Sequence, residues 1–430
     1  MIRNLLAFLI LLTLGLAAAQ HPRERAMGGV TLPGPFAADR NPAYAAIRDR
    51  FFEPTWTLPL GTLGLLLPDR SPLYLLLDPK TFDHQFDLLS FYQQFKNLDV
   101  LLLNPSRSPE ELVIKIRADG VKITDSKGNP LRLSGRSIPS AAPNTLTPPP
   151  FFKVPLWVGP HFQSTLGVFA GVDRLRVYPN LALATLLAGN RLKPNQGYEI
   201  HIAGGAQLGL GLDFSLAVLL PSPAATKVYF GARGEAFLGL GRVKGETTYR
   251  LRTDDQGKPA GGEHESRFFY SRIGDGLGYG LRLDLGVAFE NHDGVFGIGI
   301  QNAIGFSRWH GYEVFHKGKE RTRVPKTLTQ AGFKPAFYLS GATYTPLEGL
   351  GRLLVAADLG YDGSLYGHLG AEFPTGPWRL RGGIGYREGL LFGTGFGIQA
   401  RDHRVDLAFF GETTPWDGHL LLGISAGVGF

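Results

Sequence analysis

The sequence predicts an all-β fold, a closed antiparallel transmembrane β-barrel of about 14 strands, within a range of about 12 to 14. Three observations support this prediction. From Phe162 onward, apolar residues alternate with polar residues or glycine in one segment after another. After the N-terminus, no apolar run reaches the roughly 20 residues that a membrane-spanning helix requires. The connections between the alternating segments are short and long in turn, as they are in barrels.

The composition fits this class and excludes others. Glycine accounts for 58 of the 430 residues, hydrophobic residues for 43%, and cysteine for none. An even mixture of apolar and polar residues is expected of a barrel, because lipid-facing and lumen-facing residues alternate along each strand. Without cysteine, the chain has no disulfide framework, thiolate metal site or cysteine nucleophile. The net charge of +7 is spread thinly, so we expect no nucleic-acid partner.

Residues 1–19 have the pattern of a secretion signal. Arg3 supplies the positive charge, residues 5–16 form a short apolar core, and three alanines at 17–19 form a small-residue cleavage site. The apolar run is too short for a membrane anchor. We therefore expect this chain to be exported.

Residues 20–57 contain a motif of glycines followed by an Asn-Pro-Ala element. Gly28 and Gly29 permit close backbone approach, and Pro42 favours an extended conformation at Asn41, so a compact cap is expected. The pattern resembles the N-terminus of the FadL family of long-chain fatty-acid transporters and its relatives, including PorV, the type IX secretion shuttle barrel, and TraF-like barrels. The matching residues are Ala26, Met27, Gly28, Gly29, Asp39, Asn41, Pro42 and Ala43. The chain departs from the family pattern at Arg40 and Tyr44.

The resemblance implies a barrel whose N-terminal segment folds into its mouth as a hatch. The residues that it assigns to the hatch are Met27, Gly28, Gly29, Asp39, Asn41 and Pro42.

Two more units are predicted before the main barrel. Residues 58–77 are apolar around a Pro-Asp-Arg-Ser turn, which predicts the first hairpin of the barrel. Residues 78–150 combine a helical period with short strands and end in a linker rich in Pro, Ser, Ala and Thr. We expect these residues to form a small insertion of helix plus strands on the periplasmic side.

The main barrel is predicted over residues 151–430. Residues 202–218 and 277–290 alternate most clearly: Tyr279 and Leu281 fall on one face, whereas Gly278 and Gly280 fall on the other. Glycines on the inner face would make room for a plug. If the chain ends on the periplasmic side, every long connection except the 78–150 insertion falls outside, as in bacterial barrels. The long external connections are 173–199, 247–275 and 307–332.

The last residues, 419–430, alternate in the same way and end on Phe430. This ending resembles the C-terminal sorting signal of bacterial outer-membrane β-barrels. The resemblance implies that Ala426, Val428 and Phe430 form a signal for the barrel-assembly machinery, and that the chain lies in outer-membrane lipid. Tryptophans near the predicted strand ends are typical of the aromatic girdles of barrels. These tryptophans are Trp309, Trp378 and Trp416.

Charged residues also fall on the predicted inner face. They are Arg233, Glu235, Arg282, Asp284, Arg352, Asp358, Arg379, Arg381, Arg404 and Asp406. Buried charges require partners, so most of them are expected to form ion pairs between strands. A second interpretation is that one or two arginines are unpaired, foremost Arg379 and Arg381, and meet an anionic headgroup or carboxylate. The candidate ligand-binding residues are Arg282, Arg352, Arg379 and Arg381.

The sequence favours no enzyme and no cofactor. His201, Asp213 and Ser215 share a strand face, but His201 and Ser215 would be roughly 40 Å apart at the rise of a strand. No nucleophile elbow or His-Glu-x-x-His motif is present. The Gly-rich pieces, such as 276–280, precede no helical pattern, so they do not predict a dinucleotide site.

The first hypothesis for function is therefore a FadL-like barrel for passive passage of hydrophobic or amphipathic small molecules. The alternative is a structural or secretion-associated barrel, in which the 78–150 insertion docks a partner. A general diffusion porin ranks third, because the expected hatch would block an open pore.

Overall fold

The computed structural model describes fifteen stretches longer than one residue, together with Leu60. These are residues 22–47, 56–58, 100–103, 113–117, 120–124, 150–159, 161–187, 191–222, 225–317, 320–332, 335–348, 351–387, 389–400, 403–413 and 420–429. The predicted secretion signal, most of the predicted first hairpin, Trp416 and Phe430 lie outside them.

Helices are few and short in the described residues. The α-helices are α1, Pro22–Ala26, and α2, Leu181–Leu187. Two 3-10 helices, Pro35–Ala37 and Pro42–Ala46, follow α1. No helix in this part of the chain has the length and apolar character needed to cross a membrane.

Strands make up most of the fold. The first eight are β1 Trp56–Thr57, β2 Leu101–Leu102, β3 Val113–Arg117, β4 Gly120–Thr124, β5 Pro150–Val158, β6 Phe162–Pro179, β7 Gly197–Leu220 and β8 Lys227–Thr253. The next five are β9 Pro259–Arg272, β10 Gly278–Glu290, β11 Gly294–Lys317, β12 Glu320–Gly332 and β13 Ala336–Leu347. The last six are β14 Gly351–Tyr361, β15 Leu365–Thr375, β16 Trp378–Arg387, β17 Leu390–Ala400, β18 His403–Thr413 and β19 Leu420–Gly429.

Seventeen of these strands form one antiparallel sheet, and β3 pairs with β4 separately. Three pairs of strands share a single position in the sheet. β1 and β2 both pair with β19, β9 and β10 both lie between β8 and β11, and β12 and β13 both pair with β11. Seventeen strands less these three duplications leave fourteen positions. The predicted antiparallel all-β class is confirmed.

Closure of the sheet into a barrel stays a prediction. One edge position holds β1 and β2, which pair with β19, and the other holds β5, which pairs with β6. Following the antiparallel pairings around the sheet, the two edge positions run in opposite directions. Their directions are those that antiparallel closure would require.

Side-chain alternation follows the predicted faces. In β10, Gly278, Gly280, Arg282 and Asp284 are buried, whereas Tyr279 and Leu281 are exposed. The buried face is the one against which residues 22–47 pack, and we call it the inward face; the other is the outward face. The outward face is rich in exposed Leu, Phe and Ile, as a lipid-facing surface is.

The connections predicted at 247–275 and 307–332 are largely strands, which corrects the expectation of irregular loops. β8 and β9 form one long hairpin, and β11 and β12 form another. The alternation was missed because polar residues occupy both faces of these hairpins, so hydrophobicity no longer marks the strand period. We call the end of the sheet that they extend the long-hairpin end, and the opposite end the short-turn end.

The boundaries of the 78–150 insertion also need correction. β2, inside the predicted insertion, pairs with β19 of the main sheet. β5 was not recognised as a separate strand; a short turn joins it to β6, so Pro150 lies toward the long-hairpin end. The β3–β4 hairpin makes its contacts near α2, which joins β6 to β7 at that same end. The expected periplasmic placement of this region stays a prediction; the structure adds that its described hairpin lies near the long-hairpin end.

Candidate functional site

The N-terminal segment, residues 22–47, packs against the inward face. Gly28 and Gly29 have φ angles of 74° and 86°, a conformation that glycine adopts without steric cost. Across the contact, glycines of the sheet make room for the segment: a Cβ at Gly383 would collide with the backbone of Met27, and one at Gly231 with Ala43. The segment contacts strands from β6 to β19, so the sheet curves around it.

Asn41 and Tyr44 hold the second half of this segment. The Asn41 side chain accepts a hydrogen bond from Ala43 N at 3.1 Å and donates one to the carbonyl of Val287 at 3.0 Å. The Tyr44 hydroxyl contacts the Ser340 side chain. Asp39 takes part through its carbonyl, which accepts from Gln301. Because Asn41 and Pro42 are fully enclosed here, the predicted hatch residues form a built contact rather than a loose lead-in.

The first half of the segment is held by the N-terminal ion-pair cluster, which comprises Arg23, Glu372, Arg381, Asp406 and Arg404. Arg23 and Arg381 both donate to Glu372, each at 2.6 Å, and Arg381 also donates to Asp406 at 2.6 Å. Arg404 lies 2.9 Å from Asp406. Burial lowers the pKa of Arg23, but the adjacent Glu372 carboxylate outweighs burial and raises it above the ordinary value. Arg23 therefore stays charged and ties the segment to β15.

A second group, the wall ion-pair cluster, lies wholly within β7, β8 and β10. Arg233 contacts Asp213 at 3.0 Å, Glu235 at 3.0 Å and Asp284 at 2.9 Å. Arg282 donates to Glu235 at 2.6 Å. Since these side chains are almost fully buried, each charge depends on the others for compensation. The predicted ion pairs across the inner face are confirmed for this cluster.

Two further carboxylates, Glu24 within the N-terminal segment and Asp358 of β14, accept hydrogen bonds from backbone groups of the segment. Leu32 N donates to the Glu24 carboxylate at 3.0 Å, and Thr31 N donates to Asp358 at 2.8 Å. Burial raises the pKa of Glu24 to about 7, while the Leu32 hydrogen bond and the nearby Arg40 oppose that rise. Glu24 is therefore a group whose charge can change near neutral pH while the segment is docked.

An aromatic cluster lies nearer the long-hairpin end. It comprises Phe169, Phe237, Phe269 and Trp309, with Leu328 packed against them. Phe169 and Phe237 meet edge to face at 5.7 Å, and Phe237 and Trp309 are 6.2 Å apart between ring centroids. The rings lie over glycines: a Cβ at Gly239 or Gly278 would collide with Trp309. Each ring thus fills the space that a glycine on the neighbouring strand leaves open.

Polar groups border this cluster. The Arg242 guanidinium lies 5.2 Å from the centre of the Trp309 ring. Trp309 Nε1 and the hydroxyls of Ser307 and Ser271 are buried with no hydrogen-bond partner in the described structure. Buried polar atoms are normally paired, so these three atoms can bond a ligand that carries a polar group. Along β8, Arg233 and Glu235 separate this cluster from Gly231 and the N-terminal segment.

The four arginines predicted to bind ligand do not form one site. Arg282 and Arg381 belong to different ion-pair clusters, so the expectation that Arg381 is unpaired is wrong. Arg352 is half exposed and lies 3.9 Å from Asp293. Arg379 donates to the Gly376 carbonyl at 3.4 Å. A single inner-face pattern could not separate them, because Glu235, which pairs with Arg282, and Asp406, which pairs with Arg381, lie on other strands.

Sequence reasoning also missed the aromatic cluster. Trp309 was expected in an outward girdle, but its ring is fully buried on the inward face. Trp378 is exposed at the start of β16, as a girdle residue would be. A usable signal was present: Phe237 and Trp309 stand at inward positions opposite glycines of the adjacent strand.

The described residues show no assembled catalytic group. His201 contacts Thr248 at 3.0 Å, whereas Asp213 accepts from Thr165 at 2.6 Å. Within these residues, no group of three or more His, Cys, Asp or Glu side chains is placed to hold a metal ion. The inward face instead offers ion pairs, a packed segment and a buried aromatic surface.

Comparisons with known proteins found structural likeness only. No family model matches the chain. No curated protein matches it either. Solved structures that resemble it include the P. putida toluene transporter TodX, at 12% identity over 62% of this chain and 77% of that chain, with a TM-score of 0.33.

Two more structures show the range of this likeness. The CymD monoaromatic hydrocarbon channel is 12% identical over 63% of this chain and 78% of that chain, with a TM-score of 0.31. A mutant Rh. blastica porin is 8% identical over 54% of this chain and 98% of that chain, with a TM-score of 0.23. Likeness this weak assigns neither a family nor a substrate to the chain.

Proposed function

We propose that this chain is a FadL-like outer-membrane β-barrel for passive passage of hydrophobic or amphipathic small molecules. The observation that supports this proposal is the aromatic cluster, a group of buried apolar side chains on the inward side of a sheet whose outward side is also apolar. A water-filled porin would line its lumen with polar groups. An aromatic cluster on the inward side instead favours solutes that leave water readily.

The polar atoms beside the cluster extend the proposal to amphipathic solutes. Trp309 Nε1 donates, and the Ser307 hydroxyl can donate or accept. A ligand that places its apolar part over Phe237 and a polar atom near Trp309 Nε1 would satisfy a buried group that otherwise lacks a partner. This arrangement favours binding by shape and hydrogen bonds, with no catalytic step.

The N-terminal segment acts as the hatch in this proposal. Its contacts extend along the inward face of the sheet, from β6 to β19. Arg23, Asn41 and Tyr44 anchor it at separate points. Passage from the aromatic cluster to the short-turn end then requires the segment to shift or a path to open beside it.

Uptake measurements in cells test the proposal. A strain without this chain is compared with strains that carry the wild type, Trp309→Ala or Trp378→Ala, using toluene as a neutral aromatic probe and oleate as a fatty-acid probe. We expect deletion to abolish facilitated uptake of at least one probe and Trp309→Ala to lower it about tenfold, a loss equivalent to about 1.4 kcal/mol. Trp378→Ala is the control, because Trp378 lies on the outward face.

Unchanged uptake of both probes in the deletion strain would contradict the passage proposal. The alternative, a structural or secretion-associated barrel, predicts that outcome together with loss of a partner from the envelope. Mass spectrometry of small molecules that copurify with the wild-type protein, but not with Trp309→Ala, would identify the ligand directly. In either case we expect export, insertion by the barrel-assembly machinery and contact with outer-membrane lipid.

A further inference from the structure

The outward side of β11 changes character along the strand. Near its start, Phe296 and Ile298 are exposed on this side, and Ile304 follows farther along. Beyond them, the outward positions are occupied by Arg308 and His310, both exposed. The outward side of β11 is thus apolar near the start of the strand and polar where the strand enters the long hairpin.

Neighbouring strands contribute aromatic and basic residues to the same side. Tyr270 of β9 pairs with Tyr312 of β11, and their rings stack at 5.9 Å. Arg323 of β12 lies over both rings, 3.7 Å from the centre of Tyr312 and 5.5 Å from that of Tyr270. We call Tyr270, Arg308, His310, Tyr312 and Arg323 the outward basic surface.

Carboxylates of the long hairpins fall on the opposite side. The register places them at inward positions, where several meet cations: Arg267 and Lys326 contact Glu313, and Arg250 contacts Glu199. The strand carboxylates at inward positions are Glu246, Glu263, Glu265, Glu313 and Glu320. Asp275, in the turn before β10, contacts Arg323 at 3.3 Å from the outward side. The two sides of the hairpins therefore differ in charge as well as in position.

We infer that the outward basic surface binds the phosphate groups of anionic lipids in the surrounding membrane leaflet. The surface continues the apolar belt of the same strands, so it lies at the level where lipid headgroups would meet the wall. Guanidinium groups bind phosphate oxygens through paired hydrogen bonds, and stacking on Tyr312 holds the Arg323 guanidinium in place while leaving its side chain 43% exposed. This inference rests on the proposed membrane location and is independent of what the lumen passes.

Lipid retention by the purified mature protein tests the inference. The protein is placed in detergent-free nanodiscs of phosphatidylcholine, a zwitterionic lipid. It is titrated with bis-phosphorylated lipid A or with lipid A from which both phosphates are removed, and bound lipid is counted by native mass spectrometry. We expect the phosphorylated form to be retained. The double variant Arg308→Gln/Arg323→Gln should bind it about 25-fold more weakly, at about fivefold for each arginine near a lipid surface.

The matched control is Arg267→Gln/Lys326→Gln, which removes the same charge from the inward side of the same hairpins. We expect wild-type retention from this control and normal heat-modifiability from both variants. Equal retention of the two lipids by the wild type would overturn the inference, whether or not the variants fold. An equal loss in both variants would also overturn it, as would full competition by inorganic phosphate, which would mark a site for free phosphate instead.

Toluene and oleate uptake keeps this test separate from the proposed function. If the wild-type protein shows no preference for the phosphorylated lipid but uptake is normal, only the inference about the outward basic surface is contradicted. Normal lipid retention with no uptake in any strain contradicts only the passage proposal.

Discussion

The two ion-pair clusters use the same chemistry for different purposes. The wall ion-pair cluster sets two arginines, Arg233 and Arg282, against three carboxylates, all on neighbouring strands. The N-terminal ion-pair cluster sets three arginines against two carboxylates, and one of these arginines, Arg23, comes from a segment that is not part of the sheet. Breaking the first cluster should therefore damage the sheet, whereas breaking the second should release the segment.

The largest effect is expected from Arg233→Met. This change leaves Asp213, Glu235 and Asp284 buried without the cation that they share. Removing one partner of a buried ion pair costs about 3 to 5 kcal/mol. Urea unfolding in lipid vesicles, followed by heat-modifiability on gels, should show a much lower unfolding midpoint. A midpoint equal to that of the wild type would show that this cluster does not stabilise the wall.

A smaller and more local effect is expected from Arg23→Met. Glu372 keeps its contact with Arg381, so the variant loses charged hydrogen bonds worth about 1.5 to 3 kcal/mol without stranding a carboxylate. Hydrogen exchange should quicken in residues 22–47 while the urea midpoint of the sheet stays near that of the wild type. If exchange quickened equally throughout β15 and β16, the two clusters would not differ as we describe.

Two adjacent glycines test how closely the segment fits the sheet. Gly383→Ala would place a methyl group against the Met27 backbone, whereas a Cβ at Gly382 meets nothing within 4 Å. Overpacking of this kind costs about 1 to 3 kcal/mol. Limited proteolysis should cut within residues 22–47 faster in Gly383→Ala than in the wild type, with Gly382→Ala as the control. Identical cleavage of the two variants would mean that the segment is not seated at Gly383.

The smallest effect concerns pH. Burial raises the pKa of Glu24 to about 7 in the docked segment, from an ordinary value of 4.5. Between these values, the undocked segment releases the Glu24 proton while the docked one retains it, so the contribution of Glu24 to docking falls as pH rises and is largest below pH 4.5. Glu24 is only partly enclosed, so we expect about a tenfold change in the protection factors of residues 22–47, which correct for the intrinsic pH dependence of exchange and correspond to one pKa unit.

The variant Glu24→Gln isolates this group from Arg40, Asp39 and Asp358, which also act on it. Gln retains an acceptor for Leu32 N and does not titrate. The protection factors of residues 22–47 in this variant should stay at the acidic level through neutral pH. The same pH dependence in the variant and the wild type would assign the effect to another group.

Much of the wall was predictable because successive side chains of a strand point to opposite faces of the sheet. The inward and outward sides of β10 follow directly from the alternation of glycine and charged residues with Tyr279 and Leu281. β9 and β12 were not predictable in this way. Both sides of the long hairpins are polar, so the hydrophobicity of the sequence does not show the two-residue period of these strands.

The candidate site was predictable only in part. Met27, Gly28, Asn41 and Pro42 were found by a motif, and the structure places them in contact with the sheet. The aromatic cluster joins Phe169, Phe237, Phe269 and Trp309 from four strands that are far apart in the chain. The direction of the Trp309 ring depends on register and on the glycines opposite, which no local pattern contains.

By itself, the sequence determined the all-β class, the two faces of the wall and the need for buried charges to pair, because each follows from a period of two or from the cost of an isolated charge. The tertiary structure alone decided which carboxylates Arg233, Arg282 and Arg381 meet, and that β1 with β2, β9 with β10 and β12 with β13 share positions. The physical reason is register: a pairing between distant strands is set by the contacts of whole strands, and one residue of slip would turn every side chain to the other face.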